Sequence, residues 1–187
     1  MGARRAPAVL PTLVLMTDDE RLADPLAAAR ALPRGSLVIL RARQAAHRAK
    51  LARSLSRIAC EKRLYLSIAN DPVLAAEVGA HGLHLSESRA HEAAHWRALK
   101  PRWLITAAAH SPRTAAQVRW ADAVLMSPVF ETASHHGRSS LGPMRLRVMA
   151  RALAVPLYAL GGINELSARR LMGARLAGLA GIGALAT

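Results

Sequence analysis

The sequence predicts a (β/α)₈ barrel of the TIM type, in trimmed form. Two observations predict it. Strand-like apolar segments alternate with Ala/Arg/Leu-rich helical segments along the whole chain, the pattern of βαβ units and a parallel sheet. Counting gives eight strand segments, the number that closes a barrel. The main competing architecture is an open doubly wound sheet. It is disfavoured because neither "GGIN" nor "GIGAL" forms a G-x-G-x-x-G fingerprint after the first strand.

The elements follow in order. "TLVLMT" (12–17) is the first strand, and "RLADPLAAARAL" (21–32) the first helix, with Asp-Pro as a start signal. "GSLVILRA" (35–42) precedes the long helical stretch "AAHRAKLARSLSRIACEK" (45–62). "RLYLSIA" (63–69) leads into "DPVLAAEVG" (71–79), again opened by Asp-Pro. "GLHLS" (82–86) and "HEAAHWRALK" (91–100) form the fourth unit. "WLITAAA" (103–109) and "SPRTAAQVRW" (111–120) form the fifth, with Ser-Pro at the helix start. "AVLMSPV" (123–129) is followed by a polar loop and then "PMRLRVMARAL" (143–153). "PLYALGG" (156–162) leads to "NELSARRLMG" (164–173), and "LAGLAGIG" (176–183) is the last strand. No eighth helix is evident. At 187 residues the chain is shorter than the ~250 usual for this fold, hence the trimmed form.

Residues 1–187 read as one domain, since Gly and Pro are spread evenly and no linker or low-complexity run interrupts the repeat. With 52% hydrophobic and 20% charged residues, the composition is that of a globular protein. The apolar runs are strand-sized, well short of the roughly 20 residues of a membrane helix. "MGARRAPAVLPTLVLM" imitates a signal peptide, but Pro7 and Pro11 interrupt it and "TDDE" stands where a cleavage site belongs. Cys60 is the single cysteine. A cytoplasmic setting is expected.

The net charge of +14 suits nucleic acid, an anionic surface or phosphorylated small molecules. Its carriers are almost all arginines scattered over helices, with lysine only at Lys50, Lys62 and Lys100, which describes solvated helix faces. Aromatic residues amount to 3%, too few for a stacking platform. No nucleic-acid or membrane partner is expected.

Barrel ligands meet the C-terminal ends of the strands. The residues there are Thr17, Asp18 and Asp19; Arg41 and Arg43; Asn70 and Asp71; His84, Ser86 and Glu87. His110 and Ser111 follow the fifth strand, Thr132, Ser134, His135 and His136 the sixth, Gly161 and Gly162 the seventh, and Gly181 to Gly183 the eighth. The glycines of "ALGGIN" and "AGIGAL" suit phosphate, because glycine lets backbone N–H groups approach its oxygens, or serve tight turns alone. Arg41 and Arg43, two apart on a strand, share a face and can grip one anion, or pair with Asp18, Asp19 or Asp71. Asp71 suits Mg²⁺, which takes one or two carboxylates plus phosphates, or caps the helix that starts at Pro72. His110 is a candidate general acid/base, or a structural hydrogen-bonding residue. His91 and His95, four apart on a helix, have no third metal ligand of clear spacing.

"NDPVLAAEVGAHGLHLSES", "AAAHS", "ADAVLMSPVFETASHHG", "PLYALGGIN" and "AGLAGIGAL" together resemble, in order and spacing, the superfamily of thiamine phosphate synthase and TenI-type thiazole tautomerase. The resemblance runs from about residue 12 to about residue 186. It implies a (β/α)₈ barrel whose sixth-strand loop closes on thiazole phosphate and diphosphate ligands. It matches Arg41 to the family's strand-two arginine, with Arg43 in place of a lysine, and Asn70 and Asp71 to an Asn-Asp pair. Thr132 and Ser134 match a Thr-x-Thr, and Gly161 and Gly162 the phosphate-binding glycines. Departures occur at Ile39 for a glutamine, Arg89 for the second Mg²⁺-binding aspartate, Ala108 for a serine and His135 for a lysine.

The resulting expectation is a thiamine-biosynthesis protein resembling thiamine phosphate synthase, with a divergent active site. Its candidate catalytic residues are His110, His135 and Arg41. Arg43, Asn70, Thr132, Ser134, Gly161, Gly162, Gly181 and Gly183 are the candidates for substrate binding, and Asp71 for metal. Thiazole phosphate and a pyrimidine diphosphate are the expected small-molecule partners, with Mg²⁺ only in the synthase reaction and self-association as in the family. The alternatives are a tautomerase using His110, and a non-catalytic binder of phosphate ligands or nucleic acid.

Overall fold

The computed structural model describes residues 9–42, 45–131 and 140–182. Eight parallel strands close into a barrel in sequence order. They are β1 (Leu13–Met16), β2 (Leu37–Leu40), β3 (Tyr65–Ala69), β4 (Gly82–Leu85), β5 (Leu104–Ala109), β6 (Ala123–Met126), β7 (Leu157–Leu160) and β8 (Leu176–Gly181). The barrel closes where Leu13 of β1 pairs with Leu179 of β8.

The helices are α1 (Pro25–Ala31), α2 (Ala45–Lys62), α3 (Pro72–Glu77), α4 (Ala93–Leu99), α5 (Pro112–Gln117), α6 (Pro143–Ala152) and α7 (Glu165–Arg169). Their starts obey the signals in the sequence. Asp24 caps α1 by accepting from the N–H groups of Leu26 and Ala27, with Pro25 at the first helical position. Ser111 with Thr114, and Asn164 with Ser167, form reciprocal caps on α5 and α7. One departure concerns the fourth unit, where a 3₁₀ turn over Glu87–Glu92 precedes α4. There Glu92 is engaged by Arg89 and Trp96.

Strand alternation sorts the core into two clusters. Val14, Met16, Leu37, Ile39, Leu104, Leu125 and Tyr158 pack inside the barrel, while Leu15, Val38, Leu66, Leu83 and Ile105 pack outward against the helices. Tyr158 carries a hydroxyl into this interior and donates it to the Pro11 carbonyl at 2.6 Å. Burial raises the phenol pKa above its ordinary range. Gly82 is required by closeness alone: a Cβ there would stand 2.1 Å from the Leu104 carbonyl oxygen.

The first four residues of β8 are half-buried, whereas β2, β4 and β6 are buried throughout. No helix follows β8 among the described residues. No described helix is long and apolar enough to cross a membrane.

Candidate functional site

At the ends of β1 and β2, Asp18 is 7% exposed and lies between two guanidiniums. Arg21 donates Nη2–H to Oδ2 at 3.0 Å, and Arg41 donates its own Nη2–H to the same oxygen. Burial pushes the carboxyl pKa up, but the hydrogen bonds from Arg21 and Arg41 outweigh it and bring it down to about 2. Arg41 is therefore placed at the rim as the sequence implies, with its charge directed at Asp18. Thr17 fixes the backbone beside it, accepting from the Arg41 N–H at 2.9 Å.

At the ends of β3 and β4, Asn70 has a left-handed backbone (φ 57°) and accepts the Ser86 N–H at 2.8 Å through its side chain. Asp71 caps α3, its Oδ1 accepting the Leu74 N–H at 2.9 Å. Arg48 of α2 donates to the Ala69 carbonyl and has Nη1 4.0 Å from Asp71 Oδ2. Arg89 donates Nη1–H to the Asn70 carbonyl at 2.6 Å, while its Nε and Nη2 bond both oxygens of Glu92 at 2.6 and 2.8 Å. The Arg89 hydrogen bonds hold the Glu92 carboxyl down at about 2. These residues do not fit a two-carboxylate Mg²⁺ site. One oxygen of Asp71 is committed to the helix cap, the Arg48 guanidinium faces the other, and Arg89 rather than a second carboxylate stands on the adjoining Asn70 carbonyl. Among the described residues no three acidic, His or Cys side chains group as metal ligands.

Toward β5 and β6, His84 is 3% exposed and has Nδ1 2.9 Å from Thr106 Oγ1. Burial, reinforced by the charge of Arg41, lowers its pKa to about 4 and keeps it neutral. His110 is exposed at the mouth. Its Nδ1 lies 2.9 Å from the Ser127 carbonyl oxygen and 3.2 Å from Ser127 Oγ. A carbonyl only accepts, so in the neutral imidazole Nδ1 carries the proton and Nε2 presents its lone pair. Glu87 accepts the His110 backbone N–H at 2.8 Å, tying this corner to the turn after β4.

At β6 and β7, the Phe130 N–H bonds the Gly161 carbonyl at 3.1 Å, and the Gly142 N–H bonds the Val129 carbonyl at 2.9 Å. Gly162 has φ +65°, and a Cβ there would lie 2.7 Å from both the Glu131 carbonyl oxygen and Phe130 Cβ, so only glycine fits. A cavity of about 520 Å³ opens beside it, lined by Phe130, Glu131, Ser140, Gly142, Gly162 and Arg170. The Arg170 guanidinium stands 5.2 Å from the centre of the Phe130 ring. Arg41 is not among the residues that line this cavity. Gly181 ends β8 in a buried position. Arg43, Thr132, Ser134, His135, His136 and Gly183 lie outside the described residues.

Sequence reasoning missed Arg48, Glu92, Ser127 and Arg170. Arg48 and Glu92 are separated from Asp71 by elements whose packing the sequence does not print, and Ser127 acts through its backbone. Arg89 was legible only as a departure from a family pattern, not as a partner of Asn70.

The polar groups gathered at the C-terminal strand ends define a (β/α)₈ barrel of the kind that meets small ligands at that face. The family profile described as thiamine monophosphate synthase matches residues 13–185. The thiamine-phosphate synthase of Chlorobium luteolum is 32% identical over 182 residues, covering 94% of this chain and 85% of that protein. The putative thiamine-phosphate synthase 2 of Aquifex aeolicus is 31% identical over 117 residues, 62% of each chain. The match therefore spans less than two thirds of the Aquifex protein. The structure of the thiamine phosphate pyrophosphorylase from Pyrococcus furiosus superposes with a TM-score of 0.74 at 22% identity, over 92% of this chain and 85% of that one. The chain belongs to the thiamine monophosphate synthase and TenI family.

Proposed function

We propose that this barrel acts in thiamine biosynthesis on a thiazole phosphate, joining it to a pyrimidine methyl diphosphate. In that reaction the bond from the pyrimidine methylene carbon to the diphosphate oxygen breaks, and diphosphate leaves with the electron pair. The thiazole nitrogen then forms the new bond to that carbon. The chemistry needs hydrogen-bond donors where negative charge develops on the leaving oxygens. The observation that carries this reading is the set of guanidiniums, Arg41, Arg48 and Arg89, at the ends of neighbouring strands β2 to β4. Gly161 and Gly162, beside the capped start of α7, suit the thiazole phosphate. Asn70 serves mainly to shape the β3 turn, since its side chain accepts the Ser86 N–H. By family pattern Thr132, Ser134 and His135 belong to the sixth-strand loop, Arg43 takes the place of the strand-two lysine, and Gly183 belongs to the glycine-rich last segment that suits phosphate.

One observation favours a second reading, the isomerisation of a thiazole tautomer to its aromatic form. The imidazole of His110 is oriented by Ser127 with Nε2 turned away from that bond, as a proton carrier needs. This reaction moves one proton and requires no diphosphate.

The test incubates the purified protein with the thiazole carboxylate phosphate tautomer, with and without the pyrimidine diphosphate. Thiamine phosphate as product supports the synthase. Aromatisation alone, lost in His110→Ala, supports the tautomerase, and neither product would sink both.

A further inference from the structure

The turn after β3 is gripped from two sides. Arg48 reaches the Ala69 carbonyl and faces Asp71, and Arg89 reaches the Asn70 carbonyl. The second guanidinium is held rigidly in place. Trp96 donates Nε1–H to Glu92 Oε2 at 3.0 Å, and both Glu92 oxygens hold the plane of Arg89. Two cations and two carboxylates, Asp71 and Glu92, thus occupy one rim segment and balance each other. An added divalent cation would face both guanidiniums and find one oxygen of Asp71 already committed to the Leu74 N–H. An anion meets the opposite situation. A guanidinium has five N–H donors, and Arg89 uses Nε, Nη1 and Nη2 once each in these bonds, which leaves one N–H on Nη1 and one on Nη2. Arg48 spends one Nη2–H on the Ala69 carbonyl and turns Nη1 toward Asp71 at 4.0 Å, so its further Nη N–H groups, and not its buried Nε–H, are the ones that can meet an anion.

We infer that this rim binds a diphosphate group directly through Arg48 and Arg89, with no divalent cation between protein and ligand. The inference rests on the synthase reading above and specifies how the leaving group is held. Guanidinium forks match phosphate oxygens in pairs, so they supply the geometry that a metal ion would otherwise impose. The Glu92 clamp holds Arg89 in place before ligand arrives.

The test titrates the full chain calorimetrically with inorganic diphosphate, once in EDTA and once in millimolar Mg²⁺, and separately with Mn²⁺ alone. Diphosphate should bind in EDTA and no more tightly in Mg²⁺, which competes for its oxygens, and Mn²⁺ alone should not saturate. Arg89→Ala and Arg48→Ala should each weaken diphosphate about tenfold or more, with Arg48→Lys intermediate. Arg30→Ala, which removes an exposed pair with Glu61, should leave it unchanged. Circular dichroism and melting of each variant separate lost binding from lost fold. Diphosphate binding that appears only with Mg²⁺, or that survives both alanine variants, overturns the inference. Thiazole phosphate titrated in the same buffers tests the functional reading: its failure to bind sinks that reading, whereas its binding beside Mg²⁺-dependent diphosphate sinks the cation-free site alone.

Discussion

The Nδ1 atom of His110 lies 2.9 Å from the carbonyl oxygen of Ser127, so a neutral imidazole at this position is protonated on Nδ1. In ¹⁵N-labelled protein at alkaline pH, the ring should show the shift pattern of the Nδ1–H tautomer. The Nε2–H pattern would remove the case for Nε2 as the base. His110→Ala should slow proton transfer by about 10²–10⁴-fold with little change in melting temperature, because the ring is exposed.

His84 sets a pH dependence of stability. Its folded pKa of about 4 lies below the ordinary 6.5, so the unfolded chain binds a proton between these values that the folded chain refuses. The contribution is present in full above pH 6.5 and is lost as pH falls toward 4, by up to about 3 kcal/mol. Urea unfolding at pH 7.5 and 4.5 measures it. His84→Asn, which retains an acceptor for Thr106, should flatten the curve across this window, and an unchanged slope would exclude His84 as the cause.

Asp18 works in a lower window. Its folded pKa of about 2 lies below the ordinary 3.8, so its contribution is present above pH 3.8 and lost as pH falls toward 2. Asp18→Asn should cost about 2 kcal/mol at pH 7, since it leaves Arg21 and Arg41 beside a neutral amide. A melting temperature equal to the parent's would show that the two arginines have found other partners.

Gly162→Ala should destabilise more than Gly79→Ala. Both positions have positive φ, +65° and +63°, and carry a similar backbone penalty of about 1 kcal/mol. Only at Gly162 does the new Cβ meet Phe130 and the Glu131 carbonyl, and nothing lies within 4 Å of it at Gly79. An additional loss of about 1–3 kcal/mol, with weaker thiazole phosphate binding, is expected at Gly162 alone. Equal losses at the two positions would show that the β6 and β7 loops yield freely.

Tyr158→Phe should cost about 1 kcal/mol in urea unfolding, because it leaves the buried Pro11 carbonyl without the hydroxyl from which it accepts. No loss would indicate that water replaces the hydroxyl.

Much of the architecture is legible in the residues. The helix starts at Pro25, Pro72 and Pro112 follow from Asp-Pro and Ser-Pro, whose caps are satisfied within two or three residues and need no distant partner. Strand positions are legible because fully covered parallel strands are largely apolar on both faces, as in β2 and β6. The fourth unit is less so: the 3₁₀ turn before α4 coincides with the engagement of Glu92 by Arg89 and Trp96, side-chain partnerships that periodicity does not record.

The sequence alone therefore determined the eight strands and the seven helices between them, the end of the barrel that carries polar chemistry, and the family pattern from which Arg89 departs. Only the tertiary structure decided what each charge faces. Arg41 turns to Asp18, Asp71 caps α3 opposite Arg48, and Arg89 closes on Asn70 and Glu92. Local signals suffice for the first group because caps and strand alternation act over a few residues. Pairing among rim charges depends on the parallel pairing of neighbouring strands, which brings together residues 23 apart in Asp18 and Arg41 and 19 apart in Asn70 and Arg89.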